Sequence, residues 1–160
     1  MNDIAKELVE LLLEKGMTAA TAESCTGGLI AKLITDIPGS SAAFHLGVVS
    51  YSNDIKADVL GVDGTVLDTE GAVCEKTAVQ MAEGARRLGK ADFGVSTTGI
   101  AGPCGDGVCE EAGLMFIAVS DGENAAAQKL ETHMNDRDYN RSFAAAMALR
   151  LLIEFIKNER

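Results

Sequence analysis

Ser24 and Cys25 are two nucleophile-capable side chains in the octet Thr21-Ala22-Glu23-Ser24-Cys25-Thr26-Gly27-Gly28. A short apolar and β-branched run precedes them, and Leu29, Ile30, Leu33 and Ile34 follow at helical spacing. The pair therefore falls where a strand turns into a helix. Unpaired backbone N–H groups and the helix dipole favour negative charge at such a point. Gly27 and Gly28 are poor helix formers, and two glycines in a first turn suit close approach by a ligand or another backbone. The octet also reads as an ordinary hydroxyl N-cap with two packing glycines.

A base for Ser24 can be found thirty-two residues on. Lys56 lies one helical turn beyond Ser52, and long helical side chains lean back toward the helix N-terminus. That brings the amine toward Tyr51 and the mouth of a sheet. Held there and partly desolvated, a lysine has a lowered pKa and can take a proton from a hydroxyl. Ser24 is the candidate hydroxyl and Tyr51 the candidate relay or orienting group. Serine with a lysine base is a known alternative to Ser-His-Asp for acyl transfer. The competing reading is a solvated surface lysine beside a half-buried tyrosine.

A second Gly/Thr stretch, with Thr97, Thr98, Gly99 and Gly102, suits an anion nest of N–H groups and hydroxyls, although such loops are also common turns. Neither loop matches the P-loop or dinucleotide fingerprints. Arg137 and Arg141 share a helix face, and cations in a first turn oppose the dipole. One of them is thus a ligand candidate, unless they pair with Asp136 or Asp138. Cys25 at a helix N-terminus is a candidate for acidification, but as a nucleophile it is disfavoured, because no His is placed to serve as its base. His45 and His133 stand alone and Cys104/Cys109 lack a second ligand pair, so neither a metal nor another cofactor is expected. Cys104 and Cys109 read as free thiols or a redox pair.

These residues need elements to hold them. The chain has 160 residues, 47% of them hydrophobic, which is enough for one domain with a proper core. Helices are expected over 4–15, from the octet to about 35, over a short stretch carrying Lys56, over 70–88 and over 137–157. Strands are expected over 18–22, 45–51 (buried), 91–96, 114–120 and 126–132, and residues 64–69 and 97–103 read as loops. Alternating helices and strands imply an α/β fold, a single three-layer αβα domain (residues 1–160) with a mixed, mostly parallel sheet. A net charge of −10 repels nucleic acid and anionic lipid. The acidic N-terminus is not a secretory signal and no run reaches membrane-span length, so a cytoplasmic protein is expected.

Taken together the motifs resemble the C-terminal domain of the competence/damage-inducible protein CinA, in its stand-alone form. The resemblance rests on the Ser24 octet, Gly39-Ser40-Ser41, Val49-Ser50-Tyr51-Ser52-Asn53 with Lys56, and Gly71-Ala72-Val73. It continues through Met81-Ala82-Glu83-Gly84-Ala85 and Thr97-Thr98-Gly99-Ile100-Ala101-Gly102-Pro103. That family includes nicotinamide-nucleotide amidases, which convert nicotinamide mononucleotide (NMN) to nicotinate mononucleotide and ammonia. The resemblance implies a metal-free amidohydrolase with Ser24 as nucleophile and Tyr51 and Lys56 activating it. It implies a substrate-binding set of Thr26, Gly27, Gly28, Thr97, Thr98, Gly99, Gly102 and Arg141, with oxyanion donors at the head of the helix. A homo-oligomer is expected. The chain departs from the family pattern in carrying Cys74 where a serine is usual, and in the acidic stretch from Cys104 to Gly113. Those acids favour two other readings, a nucleotide-binding module with little or no turnover, or activity on a different substrate. An oligomeric interaction domain built on the apolar C-terminal helix is a further alternative.

Overall fold

A computed structural model describes residues 1–103 and 111–158. The expectations for Cys104, Cys109 and the acids Asp106 and Glu110 lie outside the described residues.

Helix α1, Asn2–Lys15, buries Ala5, Leu8, Val9 and Leu12, and Gly16 ends it in a left-handed conformation that returns its N–H to the last turn. Strand β1, Ala19–Glu23, is buried along its whole length. Its side chains are small or β-branched apart from Glu23, and a central strand covered on both faces has no need to alternate. After it come helix α2, Leu29–Thr35, a 3₁₀ turn at Ser40–Ala42 and strand β2, Phe44–Val49. Short helices α3, Asn53–Asp58, and α4, Gly64–Thr69, lead to the longer α5, Glu75–Gly89. Strands β3, Phe93–Gly99, β4, Leu114–Ser120, and β5, Ala125–Glu131, precede helix α6, Arg137–Asn158.

The strand order is β2-β1-β3-β4-β5. β1 pairs in parallel with β2 and β3, while β4 runs against both its neighbours. Four strands therefore point one way, giving the mixed, mostly parallel sheet that the sequence implied. Helices α1, α2 and α6 close the main core on one face. On the other face α5 packs with Leu60, Val62 and Leu67 over Ala20 and Ala22. Gly94 lets α5 rest directly on β3, since a Cβ there would lie 1.9 Å from the Ala82 carbonyl oxygen. Register fixes which end is which. Glu23 pairs with Thr97 and Gly99 with Met115, whereas Ser120 pairs with Gly94. Ser24 thus emerges at one end of the sheet, and the β4–β5 turn lies at the other. In that turn Asp121 accepts the amides of Glu123 and Asn124.

Four expectations need correction. Residues 64–69 form α4 because Asp63 caps them, its carboxylate accepting from the Thr65 amide. Helix α5 starts at Glu75, not 70, because Gly71 takes a positive φ and the Cys74 thiol caps the first turn. Residues 97–99 are not loop but the end of β3, held by pairing with Ile117, Phe116 and Met115. Strand β2 is half exposed, not buried: it stands at the edge of the sheet, Leu46 and Val48 pack against the core, and His45, Gly47 and Val49 on the other face are exposed.

Candidate active site

The site forms where β1, β2 and β3 end together. Ser24 is the first residue beyond β1, and its backbone N–H donates to the Thr97 carbonyl at 2.9 Å. Beside it, Ser52 caps α3 by accepting the Ile55 amide at 3.3 Å, which fixes the first turn from which Lys56 extends. Lys56 is only 1% exposed. Its Nζ donates to Ser24 Oγ at 3.1 Å and to the Ser50 carbonyl at 2.8 Å, with the Tyr51 carbonyl at 3.5 Å. Burial holds this ammonium below its ordinary 10.5, while the neighbouring Cys25 sulfur acts the other way. Once neutral, the amine has two N–H bonds and one lone pair. The two carbonyls suit the N–H bonds, which leaves the lone pair for the Ser24 hydroxyl.

Tyr51 stands elsewhere. Its side chain is largely exposed, and its hydroxyl accepts from Arg137 Nη2 at 3.1 Å. Arg137 also donates through Nη1 to the Gly102 carbonyl at 3.1 Å. The phenol is therefore at the rim, bonded to an arginine, and Lys56 meets Ser24 with no group between them. Ser24, Tyr51, Asn53, Lys56, Thr98 and Arg137 are among the residues lining a cavity of about 310 Å³. Gly99 and Gly102 line it too. Thr26, Gly27, Gly28, Thr97 and Arg141 do not. Arg141 instead donates through Nη2 to the Thr26 carbonyl at 2.8 Å, behind the nucleophile turn.

Sequence reasoning gave Glu23 no role, yet this carboxylate is 1% exposed and sits under the turn. Its Oε2 accepts from the Thr26 hydroxyl at 2.6 Å and from the Gly28 and Ile30 amides at 3.0 Å each, and Oε1 accepts from Ala31 N–H at 2.8 Å. Positive φ values at Gly27 and Gly28, 60° and 92°, let the chain curl back to make these bonds. The head of α2, expected to face a ligand, is thus occupied by the protein's own anion. The Cys25 and Thr26 amides remain. Among the described residues neither donates to an oxygen, and of the two only Cys25 lines the cavity. An acid closing a buried strand just ahead of a helix was the available signal for Glu23.

Cys25 is the weaker nucleophile candidate on other grounds too. Burial raises its thiol to about 11, and the charge of Glu23 adds to this, while the surrounding backbone and the nearby Thr97 side chain act the other way. It is not an acidified nucleophile. Among the described residues no group of three His, Cys, Asp or Glu side chains is placed to hold a metal. Nor is any described helix long and apolar enough to cross a membrane.

The family described as CinA C-terminal domain matches residues 1–156. The chain belongs to it. A putative competence-damage inducible protein of Caldanaerobacter subterraneus subsp. tengcongensis is 50% identical over 140 residues, which is 87% of this chain and 34% of that protein. A CinA-like protein of Leptospira borgpetersenii serovar Hardjo-bovis is 45% identical over 157 residues, covering 97% of this chain and 37% of that one. This CinA domain thus spans about a third of the length of these relatives. Among solved structures, the competence/damage inducible protein CihA of Agrobacterium tumefaciens superposes with a TM-score of 0.90 at 40% identity. The match covers 96% of this chain and 93% of that one. The competence damage-inducible protein A of Klebsiella pneumoniae gives a TM-score of 0.91 at 28% identity, covering 99% and 98%.

Proposed function

We propose that this CinA domain is a serine amidohydrolase that converts the carboxamide of NMN to a carboxylate, releasing nicotinate mononucleotide and ammonia. The observation that carries the reading is the buried contact of 3.1 Å between Lys56 Nζ and Ser24 Oγ at the wall of the cavity. A surface lysine has no reason to be buried against a hydroxyl, and a binding module has no use for a desolvated base there.

Neutral Lys56 takes the Ser24 proton as Oγ attacks the carboxamide carbon. The Cys25 amide, on a residue that lines the cavity, is the donor left to receive the oxyanion. Collapse of the tetrahedral intermediate breaks the C–N bond, and the Lys56 ammonium returns the proton to the departing nitrogen, which leaves as ammonia. Water, deprotonated by the same amine, then attacks the acyl ester and frees Ser24 and the carboxylate. Arg137, at the rim of the cavity in a chain of net charge −10, suits the phosphate of a mononucleotide. Tyr51 then acts by holding Arg137, not as a proton relay.

The test is ammonia release from NMN by wild type, Ser24→Ala and Lys56→Ala. Loss in both variants supports the mechanism and the substrate together. No release, with NMN still raising the melting temperature, replaces the enzyme with a nucleotide-binding module.

A further inference from the structure

We infer that Glu23 is a positioning residue for acyl transfer, an internal anion that fills the head of α2 and sets the shape of the Ser24 turn. The inference rests on the serine-amidohydrolase reading but does not depend on NMN being the amide.

A buried carboxylate is costly unless its lone pairs are used. Four donors converge on Glu23, three of them backbone amides from residues 28, 30 and 31. Each donor belongs to the segment directly after the nucleophile, so the carboxylate gathers that segment around itself. The chain of hydroxyls has a fixed direction. Thr26 has one hydroxyl proton and gives it to Glu23, so Thr97 must be the donor in its 2.7 Å contact with Thr26. Through Thr97 the turn is tied to β3, whose carbonyl at the same residue also accepts the Ser24 amide. Arg141 holds the Thr26 carbonyl from the other side. With residues 28, 30 and 31 committed to Glu23 and Gly27 to the Ser24 carbonyl, Cys25 is the residue of the turn that lines the cavity with its amide still open for an oxyanion. The arrangement decides which N–H groups face chemistry and which face the interior.

Glu23→Gln tests this, because an amide of the same shape would oppose its NH₂ group to the Ala31 or Ile30 amide. Two readouts are needed at room temperature, with folding checked by circular dichroism. The first is the rate at which a sulfonyl fluoride labels Ser24, followed by intact mass. The second is the kcat and KM for NMN across pH. A positioning role predicts labelling and kcat lowered roughly 10- to 100-fold, with KM within about twofold. The acid limb of the pH profile should keep its midpoint, since Glu23 does not touch Lys56. Labelling and kcat near wild type in a folded variant would reduce Glu23 to a structural cap. A moved midpoint would instead make it an electrostatic modulator of Lys56, and either result overturns the inference. Should Glu23→Gln fail to fold, Thr97→Val carries the test by removing the hydroxyl at the end of the chain. Slower labelling of that variant is expected, and unchanged labelling counts against the proposal. A wild type that takes the label but releases no ammonia from NMN refutes the substrate alone. If it does neither, both proposals fall.

Discussion

Two ionisable side chains are buried close to Ser24, and they are satisfied differently. Glu23 receives four donors, all from fixed positions in its own chain. Lys56 has three oxygens around its Nζ, one of them the hydroxyl of Ser24. The carboxylate has nothing left to do but hold the turn. The amine is held by two carbonyls and has one direction open toward a group that can react. Saturation makes a buried charge structural, and a single reactive partner makes it chemical.

The contrast can be broken most directly at the amine. Ser24→Ala and Lys56→Met are each expected to lower ammonia release from NMN by roughly 10³-fold or more. Activity of Lys56→Met within tenfold of wild type would sink the lysine-base mechanism. The pH profile is the next largest effect. Only neutral Lys56 can accept the proton, so kcat/KM should rise about tenfold per pH unit on the acid side. It should level off below the 10.5 of an ordinary lysine, because burial lowers this one. A flat profile through neutral pH would remove Lys56 from the base role.

Stability should follow the opposite order. The unfolded chain protonates its lysine more readily than the folded one, so the buried charge costs stability below the folded pKa. That cost fades as pH rises through 10.5, where both states are neutral. The melting temperature of Lys56→Met relative to wild type should therefore fall as pH is raised from neutral. Glu23→Gln, by contrast, should lose about 1–3 kcal/mol at neutral pH through the mismatched amide, measurable by urea unfolding. Smaller effects separate the rim from the floor of the site. Tyr51→Phe keeps the Lys56–Ser24 contact and loses only the bond to Arg137, so the expected result is a raised KM with kcat within about tenfold. A kcat loss as deep as that of Lys56→Met would restore the relay. Smallest of all, Cys25→Ala should leave kcat within about threefold, since a buried thiol raised to about 11 carries little thiolate at neutral pH.

The legibility of the sequence divides along similar lines. Ser24, the Ser52 cap and the backward lean of Lys56 follow from rules that act within one or two turns, and the structure brings the two side chains together. The layered fold was readable from alternating periods, because burial against the sheet enforces them. Glu23 was not read, because its role depends on two positive-φ glycines folding the chain back onto its side chain. Thr97 and Thr98 look like loop residues by composition and become strand through pairing with β4 and, for Thr97, with β1. The choice between Arg137 and Arg141 was also out of reach, since both lie on α6 and only tertiary packing turns one toward the cavity and the other onto Thr26.

The reversed direction of β4 has a practical side. It carries the chain from the site end to the far end of the sheet before the turn at residues 121–124, where Asp121 closes the backbone by itself. A tether or fluorophore attached at Glu123, an exposed position, would anchor the molecule to a surface with its cavity facing outward. Single-molecule or immobilised assays could then be run without masking Ser24.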